Sequence, residues 1–560
     1  MDAYQRLIED LPTRLPPGRS QRAGEKAIRE AVAALPLANP AQAVLEAEQL
    51  LDGMLGANWS GGDRIAALAH LRGPIESLSG GIEQQLGGES HPLPAASAER
   101  AATALRLEWK LACNYALGLH ELCAPAGKLP RFKGKLGAGA IVTASICANQ
   151  ALVWAYRQYQ APLAGIWRLV HALYAFACEL GIADLAVEHP FAEQAPLSAR
   201  AAYVQTLLLA LSNPYRFSVR ELKEAHAVIR CVAGRCGLTR GGATGINIDT
   251  DADTGPGYVV EERLAAGSGV LALDVETVVR IFDERVELLR DGAGAVDLPC
   301  PGSGVVHTTA GFLRRLQANW ASAVRGHERL PATHSLNLVI GMHALHYALA
   351  GNQDFASFIR EVHGEAITVG RHELASSWLA SSDSAARHQT FRGEVLDQSE
   401  GGYRLRLPES EGARLRIGEV IGLVPVTDAP EERDWMVGVI RWLRLEEGRE
   451  WLGVEMLSRM ARAAGVRPVT ADGERLVPQR AVELPGQGGE DGLSLLVTNH
   501  FIRDVTAAEV VLPVLASDWS GHASVRVWHC NGADVLGNAC IRINLVRDEP
   551  GRVLDAEGVE

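Results

Sequence analysis

The sequence predicts a multidomain α-plus-β protein, in which an irregular all-α N-terminal region is followed by a C-terminal β-barrel and a β-rich tail. The chain has 560 residues, enough for about three folding units at roughly 100 to 200 residues each. Up to about residue 370 it is rich in Ala and Leu with helical spacing of apolar residues. Beyond about residue 375, short alternating runs separated by Gly, Asp and Pro indicate antiparallel sheet.

The first predicted domain, residues 1–240, is helical. In Ala101–Cys123, apolar residues recur at alternating spacings of four and three, which places them on one helix face. Ser198 is placed to cap one helix, and Ser218 with Glu221 forms a capping box for the next. No fixed repeat of about 34 residues is present, so an irregular helical domain is favoured and an α-solenoid is the alternative.

One segment of this region, Leu136–Tyr156, is uncharged and long enough to cross a bilayer. Its polar residues, which include Thr143 and Asn149, would need partners inside lipid, and small residues replace the usual Leu and Phe. We therefore expect a buried helix and no membrane span. Met1–Pro12 has acidic residues where an export signal has basic ones, so we expect a cytoplasmic protein.

The chain contains nine cysteines. In a reducing compartment they are expected to be buried thiols rather than disulfides. Cys231 and Cys236 lie near His226, but a second pair of ligands is missing from this part of the sequence. No metal site and no cofactor is therefore predicted.

Three further domains are predicted from changes in residue composition and in the spacing of apolar residues along the chain. Residues 241–370 are interpreted as a loop-rich insertion, with many Gly and Asp, followed by more helices. Residues 380–460 form the barrel, and residues 461–560 form a β-rich extension. In the run YRLRL, Tyr403, Leu405 and Leu407 alternate with Arg404 and Arg406, which predicts a half-buried strand with a basic outer face.

The most informative motif is Asp397-Gln-Ser399-Glu-Gly-Gly402, an Asp-x-Ser-x-x-Gly string between two predicted strands. It is followed by the strand patterns GVIRW and WLGVEML. The segment from about Arg387 to Leu457 resembles a PilZ domain in this motif and in the order of its strands. The resemblance implies a small β-barrel that binds cyclic-di-GMP.

The residue types fit such a ligand, which carries two phosphates and two guanines. Arginine forks bind phosphate oxygens and the guanine O6/N7 edge, and Asp and Ser at a turn can bond the rest of that edge. Glycine allows the main chain to approach the ligand closely. The resulting predicted ligand-binding set consists of Arg387, Arg392, Asp397, Ser399, Gly402, Arg404, Arg406 and Arg441.

The arginine motif departs from the family pattern. PilZ receptors carry Arg-x-x-x-Arg well ahead of the Asp-Ser motif, whereas Arg387 and Arg392 are one residue too far apart and too close to Asp397. Two interpretations therefore stay open. The barrel is either a cyclic-di-GMP receptor in which other arginines compensate, or a degenerate scaffold that binds no nucleotide and contacts proteins.

The helical region is similar to those fused to PilZ-like domains in proteobacterial receptors associated with type IV pili and twitching motility. This similarity implies an effector linked to the cell pole or pilus, with a protein partner in that machinery. The formal net charge of −13 disfavours nucleic acid as a partner. No P-loop and no Ser/His/Asp arrangement is recognisable, so the protein is predicted not to be an enzyme.

Overall fold

The computed structural model describes residues 3–9, 11, 24–86, 90–188, 195–241, 245–259, 269–288, 295–302, 304–321, 329–363, 389–408, 410, 412–426, 434–469, 476, 478–487, 492–498, 507–511, 526–536 and 540–547. The chain forms two compact units. The first comprises Met1–Glu89 and Leu93–Val324, and the second comprises Ser90–Pro92 and Arg325–Glu560. The predicted fold class is confirmed, with helices first and two β-barrels after them.

The first unit begins with nine α-helices in its described residues. They are α1 (Ala3–Arg6), α2 (Glu25–Ala33), α3 (Pro40–Gly56), α4 (Gly61–Gln85), α5 (Ala95–Leu122), α6 (Gly134–Arg157), α7 (Ile166–Glu179), α8 (Ala199–Leu211) and α9 (Val219–Val232). The predicted caps are present: Ser198 caps α8, and Ser218 and Glu221 form a reciprocal capping box on α9. The predicted stripe of α5 is buried at Leu105, Ala112, Ala116 and Leu119.

Helix α6 contains the uncharged segment. It is the one described helix long and apolar enough to cross a membrane, and 83% of its most apolar window is buried inside the protein. Its polar side chains have partners there. Thr143 donates a hydrogen bond to the carbonyl of Gly139 at 2.8 Å, and Asn149 donates one to the hydroxyl of Thr206 in α8 at 3.2 Å. The helix is therefore packed as a core element of the first unit, as its composition predicts.

After α9 the first unit changes character. It contains β1 (Gly237–Arg240), β2 (Gly245–Asp249), β3 (Gly257–Val259), β4 (Val270–Asp274), α10 (Glu276–Glu287), β5 (Ala295–Pro299), β6 (Val305–Thr309) and α11 (Ala310–Ala321). Strands β1–β4 form one antiparallel sheet, and β5 and β6 form a hairpin. The expectation of a loop-rich insertion is therefore wrong for these described residues, because short strands with few apolar residues resemble loops in the sequence.

The hairpin β5–β6 is attached to α9 by a disulfide between Cys231 and Cys300, which are 69 residues apart in the chain. The prediction of buried thiols holds for Cys113, Cys123, Cys147 and Cys236, but it is wrong for this pair and for Cys178, which is a free but exposed thiol. The error has a simple cause, since two cysteines so distant in sequence become neighbours only through tertiary packing.

The second unit starts with strands and two helices that lead into a barrel. They are β7 (Leu330–Pro331), β8 (Ser335–Ile340), α12 (Met342–Leu349), α13 (Phe355–His363), β9 (Phe391–Ser399), β10 (Gly402–Leu407), β11 (Val420–Pro425), β12 (Met436–Glu446) and β13 (Arg449–Ser458). Six strands close into a ring in the order β8–β9–β10–β13–β12–β11, and β11 pairs back with β8. Strand β7 extends the sheet by pairing with the end of β9.

The barrel begins earlier than predicted. Its first strand, Ser335–Ile340, closes the ring between β9 and β11, so the boundary near residue 380 is too late, and the second unit starts at Arg325. The physical reason is that α12 and α13 separate β8 from β9, so helical periodicity continues inside the barrel domain.

The segment predicted as a β-rich extension forms a second closed barrel. Its strands are β14 (Arg462–Val469), β15 (Gln479–Glu483), β16 (Gly492–Thr498), β17 (Ala507–Val511), β18 (Arg526–Val535) and β19 (Cys540–Arg547). They close in the order β14–β15–β16–β19–β18–β17, with every neighbouring pair antiparallel. If the six strands of each barrel are numbered from 1 to 6 in chain order, both barrels have the same order of neighbours around the ring, 1–2–3–6–5–4. The second unit therefore contains the same connectivity twice.

The two barrels share a hydrophobic joint. Residues of the first barrel and α12, such as Leu345 and Val437, form one buried cluster with Val482, Leu484 and Leu496 of the second barrel. Helix α12 contributes a polar contact as well, because Nε2 of His346 lies 3.1 Å from the carbonyl oxygen of Ala464. Next to it, Phe355 and Phe358 of α13 pack with Ala463. The barrels are therefore joined by a continuous core within the second unit.

Candidate functional site

The Asp-Ser motif forms the tight connection between β9 and β10. The two strands are paired from Glu394↔Arg406 to Ser399↔Gly402, and a β-bulge lies between the pairs Arg404↔Asp397 and Leu405↔Val395. A bulge adds one residue to a strand and changes the direction of neighbouring side chains. Here it brings Asp397 to the level of Arg404. The hydroxyl of Ser399 lies 3.5 Å from the carbonyl of Gly402.

Gly402 is required by a close backbone approach. A Cβ atom at this position would lie 1.9 Å from the carbonyl oxygen of Val454 in β13. No side chain fits there, so the glycine of the motif allows β10 to pair with β13 directly beside the turn. This role is structural and does not require a ligand.

The alternation predicted for YRLRL is present. Leu405 and Leu407 are fully buried inside the barrel, and Arg404 and Arg406 lie on its outer face. Both guanidinium groups lie over Trp451 of the neighbouring strand β13, with the Cζ atoms at 4.7 Å and 6.0 Å from the ring centroid. This cation–π contact holds two planar donors at the barrel surface.

Asp397 is bonded on two sides. Its Oδ1 atom lies 2.6 Å from Nη1 of Arg329, and its Oδ2 atom lies 3.7 Å from Nη1 of Arg404. Arg329 reaches this position because Pro331 of β7 pairs with Asp397 of β9. Arg329 lies 68 residues before Asp397, and no local sequence pattern connects the two residues. Trp451 was also absent from the predicted set.

The outer face of β9, β10 and β13 carries more positive than negative charge. Arg329, Arg404 and Arg406 lie beside two carboxylates, Asp397 and Glu394, and Nε of Arg406 is 2.7 Å from Glu394. The Nε atom of Arg404 is buried without a hydrogen-bond partner among the described residues. A face with planar cations, an aromatic ring and an acceptor is suited to binding a nucleotide: the cations can bind its phosphates, the ring can stack on its base, and the acceptor can bond the edge of that base.

Two other residues of the predicted set, Arg392 and Arg441, lie away from Asp397 and Arg404. Arg392 is exposed near the start of β9, five residues and about 16 Å of extended strand from Asp397. Arg387 lies outside the described residues. Arg441 of β12 lies 2.7 Å from Glu455 and donates a hydrogen bond to the carbonyl of Leu536 in the second barrel. Arg441 is therefore part of the joint between the barrels.

The second barrel uses the equivalent face differently. On its second and third strands, the outward-facing pair is Val482↔Leu496, and both residues are buried in the joint with the first barrel. An apolar, covered face cannot bind an anion. Of the two barrels, the first therefore presents the candidate site. Among the described residues, no cluster of three or more His, Cys, Asp or Glu that could hold a metal ion is present.

A helical region followed by a six-stranded barrel with an Asp-x-Ser-x-x-Gly turn defines a PilZ-domain protein. Residues 26–243 match the family model described as "Cyclic-di-GMP receptor FimW, N-terminal domain", and residues 246–386 and 367–463 match "Cyclic-di-GMP receptor FimW, middle PilZ domain". Because the two models together cover most of the chain, this protein belongs to the FimW family. A curated relative, "Cyclic-di-GMP receptor FimW" from Pseudomonas aeruginosa, is 24% identical over 369 residues. The alignment covers 57% of this chain and 59% of the relative.

Proposed function

We propose that this protein is a cyclic-di-GMP receptor that binds the nucleotide on the outer face of β9, β10 and β13. The observation that carries the proposal is the position of Arg404, which lies between the ring of Trp451 and the carboxylate of Asp397 at the Asp-Ser turn. The match to a PilZ domain of a cyclic-di-GMP receptor family supports the choice of ligand.

The proposed contacts follow from the chemistry of each group. Asp397 is an acceptor for the N–H groups of a guanine edge, and Arg404 is a planar donor for its O6 and N7 atoms. Arg406 binds a phosphate after it exchanges Glu394 for the ligand. Arg392, at the start of β9, and Arg387 are proposed as further phosphate contacts. Arg329 holds the carboxylate of Asp397 in place.

The proposal is tested by titrating the purified full chain with cyclic-di-GMP in a calorimeter, with GTP and GMP as controls. Asp397→Ala, Ser399→Ala and the double variant Arg387→Ala/Arg392→Ala are compared with the wild type. Loss of hydrogen bonds from the turn weakens binding by about 1 to 3 kcal/mol, and loss of a phosphate contact by about tenfold or more. No saturable heat at micromolar nucleotide would contradict the proposal.

A second function, that of a nucleotide-free scaffold, is favoured by one observation. Arg406 is already paired with Glu394, and Asp397 is already paired with Arg329, so part of the face is satisfied without a ligand. Equal stability of the second unit with and without cyclic-di-GMP would support the scaffold, because a ligand that binds the folded state must stabilise it.

We further propose that the receptor acts through a protein partner in surface motility or type IV pilus function, as a cytoplasmic effector recruited to the cell pole, and that it has no catalytic activity of its own. The similarity of the helical region to those of pilus-linked receptors supports this role. Deletion of the gene, complemented by wild type or by Asp397→Ala, is scored for twitching and for polar localisation of a fluorescent fusion. Normal twitching in the deletion strain contradicts the role.

A further inference from the structure

Two partly exposed tryptophans lie on the candidate face. Trp442 of β12 pairs in register with Gly453 of β13, and Gly453 pairs in turn with Arg404 of β10. Residues in register on neighbouring strands point to the same face of a sheet. Trp442, Gly453 and Arg404 therefore form one row across the outer face of the barrel. Trp451 and Arg406 belong to the next row.

Gly453 leaves room for the indole of Trp442. A Cβ atom at Gly453 would lie only 1.8 Å from Nε1 of Trp442, so the ring occupies the place where a side chain of β13 would be. The indole ring of Trp442 thus lies over Gly453 of β13, next to the strand that carries Arg404. Trp451, diagonal to Trp442, lies under the guanidinium of Arg404. Together, the two rows of residues contain the indole rings of Trp442 and Trp451 and the guanidinium groups of Arg404 and Arg406.

We propose that Trp442, together with the guanidinium of Arg404 that lies on the ring of Trp451, forms a stacking surface for a purine base of the bound nucleotide. This inference rests on the proposed receptor function and adds the residues that hold the base face. Tryptophan has no charge for a phosphate but offers a flat π-surface, and bases stack on such rings and on guanidinium planes. The carboxylate of Asp397, beside Arg404, is then left for the edge of the same base.

The test compares aromatic and aliphatic replacements in the full chain. Trp442→Leu removes the ring and is expected to weaken cyclic-di-GMP binding by about tenfold, whereas Trp442→Phe keeps a ring and most of the affinity. Trp442 is the sharper position, because Trp451→Leu also removes the support of Arg404. Trp109→Leu is the matched control, since Trp109 is a partly buried tryptophan in α5 of the first unit.

A second measurement separates stacking from a merely structural role. The affinity lost in Trp442→Leu is expected to be the same at low and high salt, whereas the loss in Arg406→Ala shrinks as salt screens the charge. In protein labelled with fluorotryptophan, the fluorine resonance of Trp442, assigned from the Trp442→Phe variant, is expected to shift on addition of cyclic-di-GMP. The resonance of Trp109 is not.

The possible outcomes are distinct. Weaker binding by Trp442→Leu, rescue by Trp442→Phe and a shifted Trp442 resonance support the stacking surface. If the wild type binds cyclic-di-GMP but Trp442→Leu binds equally well and the resonance does not move, the stacking surface is overturned and the receptor function remains. If the wild type itself binds no cyclic-di-GMP, both proposals are overturned.

Discussion

Arg404 and Arg441 show how the same residue type acquires different roles from its surroundings. Both were predicted as ligand contacts because both are arginines on strands near the Asp-Ser motif. Arg404 lies over Trp451 beside Asp397, whereas Arg441 is bonded to Glu455 and to the second barrel. The local sequence does not distinguish them, because the difference depends on which strand and which barrel each side chain faces.

We predict that replacing Arg404 weakens nucleotide binding, whereas replacing Arg441 leaves it nearly unchanged. Arg404→Ala should weaken cyclic-di-GMP binding by about tenfold or more, since a charge-assisted contact is worth about 1.5 to 3 kcal/mol. Arg404→Lys should restore it only in part, because lysine keeps the charge but loses the planar stack on Trp451. Calorimetric titration measures both.

Arg441→Ala is the matched control for this experiment. It should leave the affinity nearly unchanged and lower the thermal stability of the second unit, because it removes a hydrogen bond between the barrels. Wild-type affinity in Arg404→Ala together with a large loss in Arg441→Ala would show that the ligand lies near the joint instead.

At the scale of single residues, the sequence identified the turn but not its neighbours. Asp397, Ser399 and Gly402 form a local motif, and their positions in the tight connection follow from it. Arg329 and Trp451 reach the same face only through the pairing of β7 with β9 and of β10 with β13. Such pairings between distant segments are not encoded in a short window of sequence.

Helix α12 is an element whose role depends on one buried histidine. His346 is 1% exposed, its Nε2 atom donates a hydrogen bond to the carbonyl of Ala464, and its ring packs edge-on against Phe355 and Phe358. Burial, with the nearby charge of Arg480 and His343, lowers the pKa of His346 to about 4. The neutral ring therefore belongs to the joint between the barrels.

This pKa predicts a loss of stability in mild acid. The unfolded chain binds a proton at its ordinary pKa of about 6.5, whereas the folded protein does so only near pH 4, so the free energy of unfolding should fall as the pH drops from about 6.5 to 4. The expected loss of unfolding free energy is on the order of 3 kcal/mol, since each pKa unit corresponds to about 1.4 kcal/mol. His346→Gln keeps a donor for Ala464 but does not titrate, so its stability should fall less over this range.

Urea denaturation of the second unit, followed at several pH values, measures the difference. His334→Gln is the control, because His334 is an exposed histidine of the second unit whose charge does not act on His346. Parallel pH profiles for the wild type and His346→Gln would contradict the assignment of the acid sensitivity to this ring.

Among the elements, those with strong local signals were predicted well. Helices α8 and α9 start at the predicted capping residues, and the strands around YRLRL lie where alternation placed them. The first strand of the barrel was missed, because Ser335–Ile340 stands between helical segments and pairs with strands more than 50 residues later. Its identity as a barrel strand is a property of the closed ring and not of its own sequence.

For the whole molecule, the repeated ring has the clearest functional consequence. The two barrels have the same strand order, but the equivalent outer faces differ: Asp397 and Arg404 in the first barrel, Val482 and Leu496 in the second. The polar face is available to a ligand, and the apolar face is buried in the joint. One copy of the fold therefore presents the candidate site, and the other packs against it through the joint.

The joint predicts that the two barrels are energetically coupled. Leu495 and Leu496 are adjacent, fully buried leucines of β16, but Leu495 belongs to the core of the second barrel and Leu496 belongs to the shared cluster. Truncating either to Ala should cost about 2 to 5 kcal/mol, because a buried cavity is formed. Leu495→Ala should accelerate amide hydrogen exchange mainly in β14–β19, whereas Leu496→Ala should also accelerate it in β8 and β11. Faster exchange confined to β14–β19 in both variants would mean that the first barrel gains no stability from the second, and that its candidate face is held by the first barrel alone.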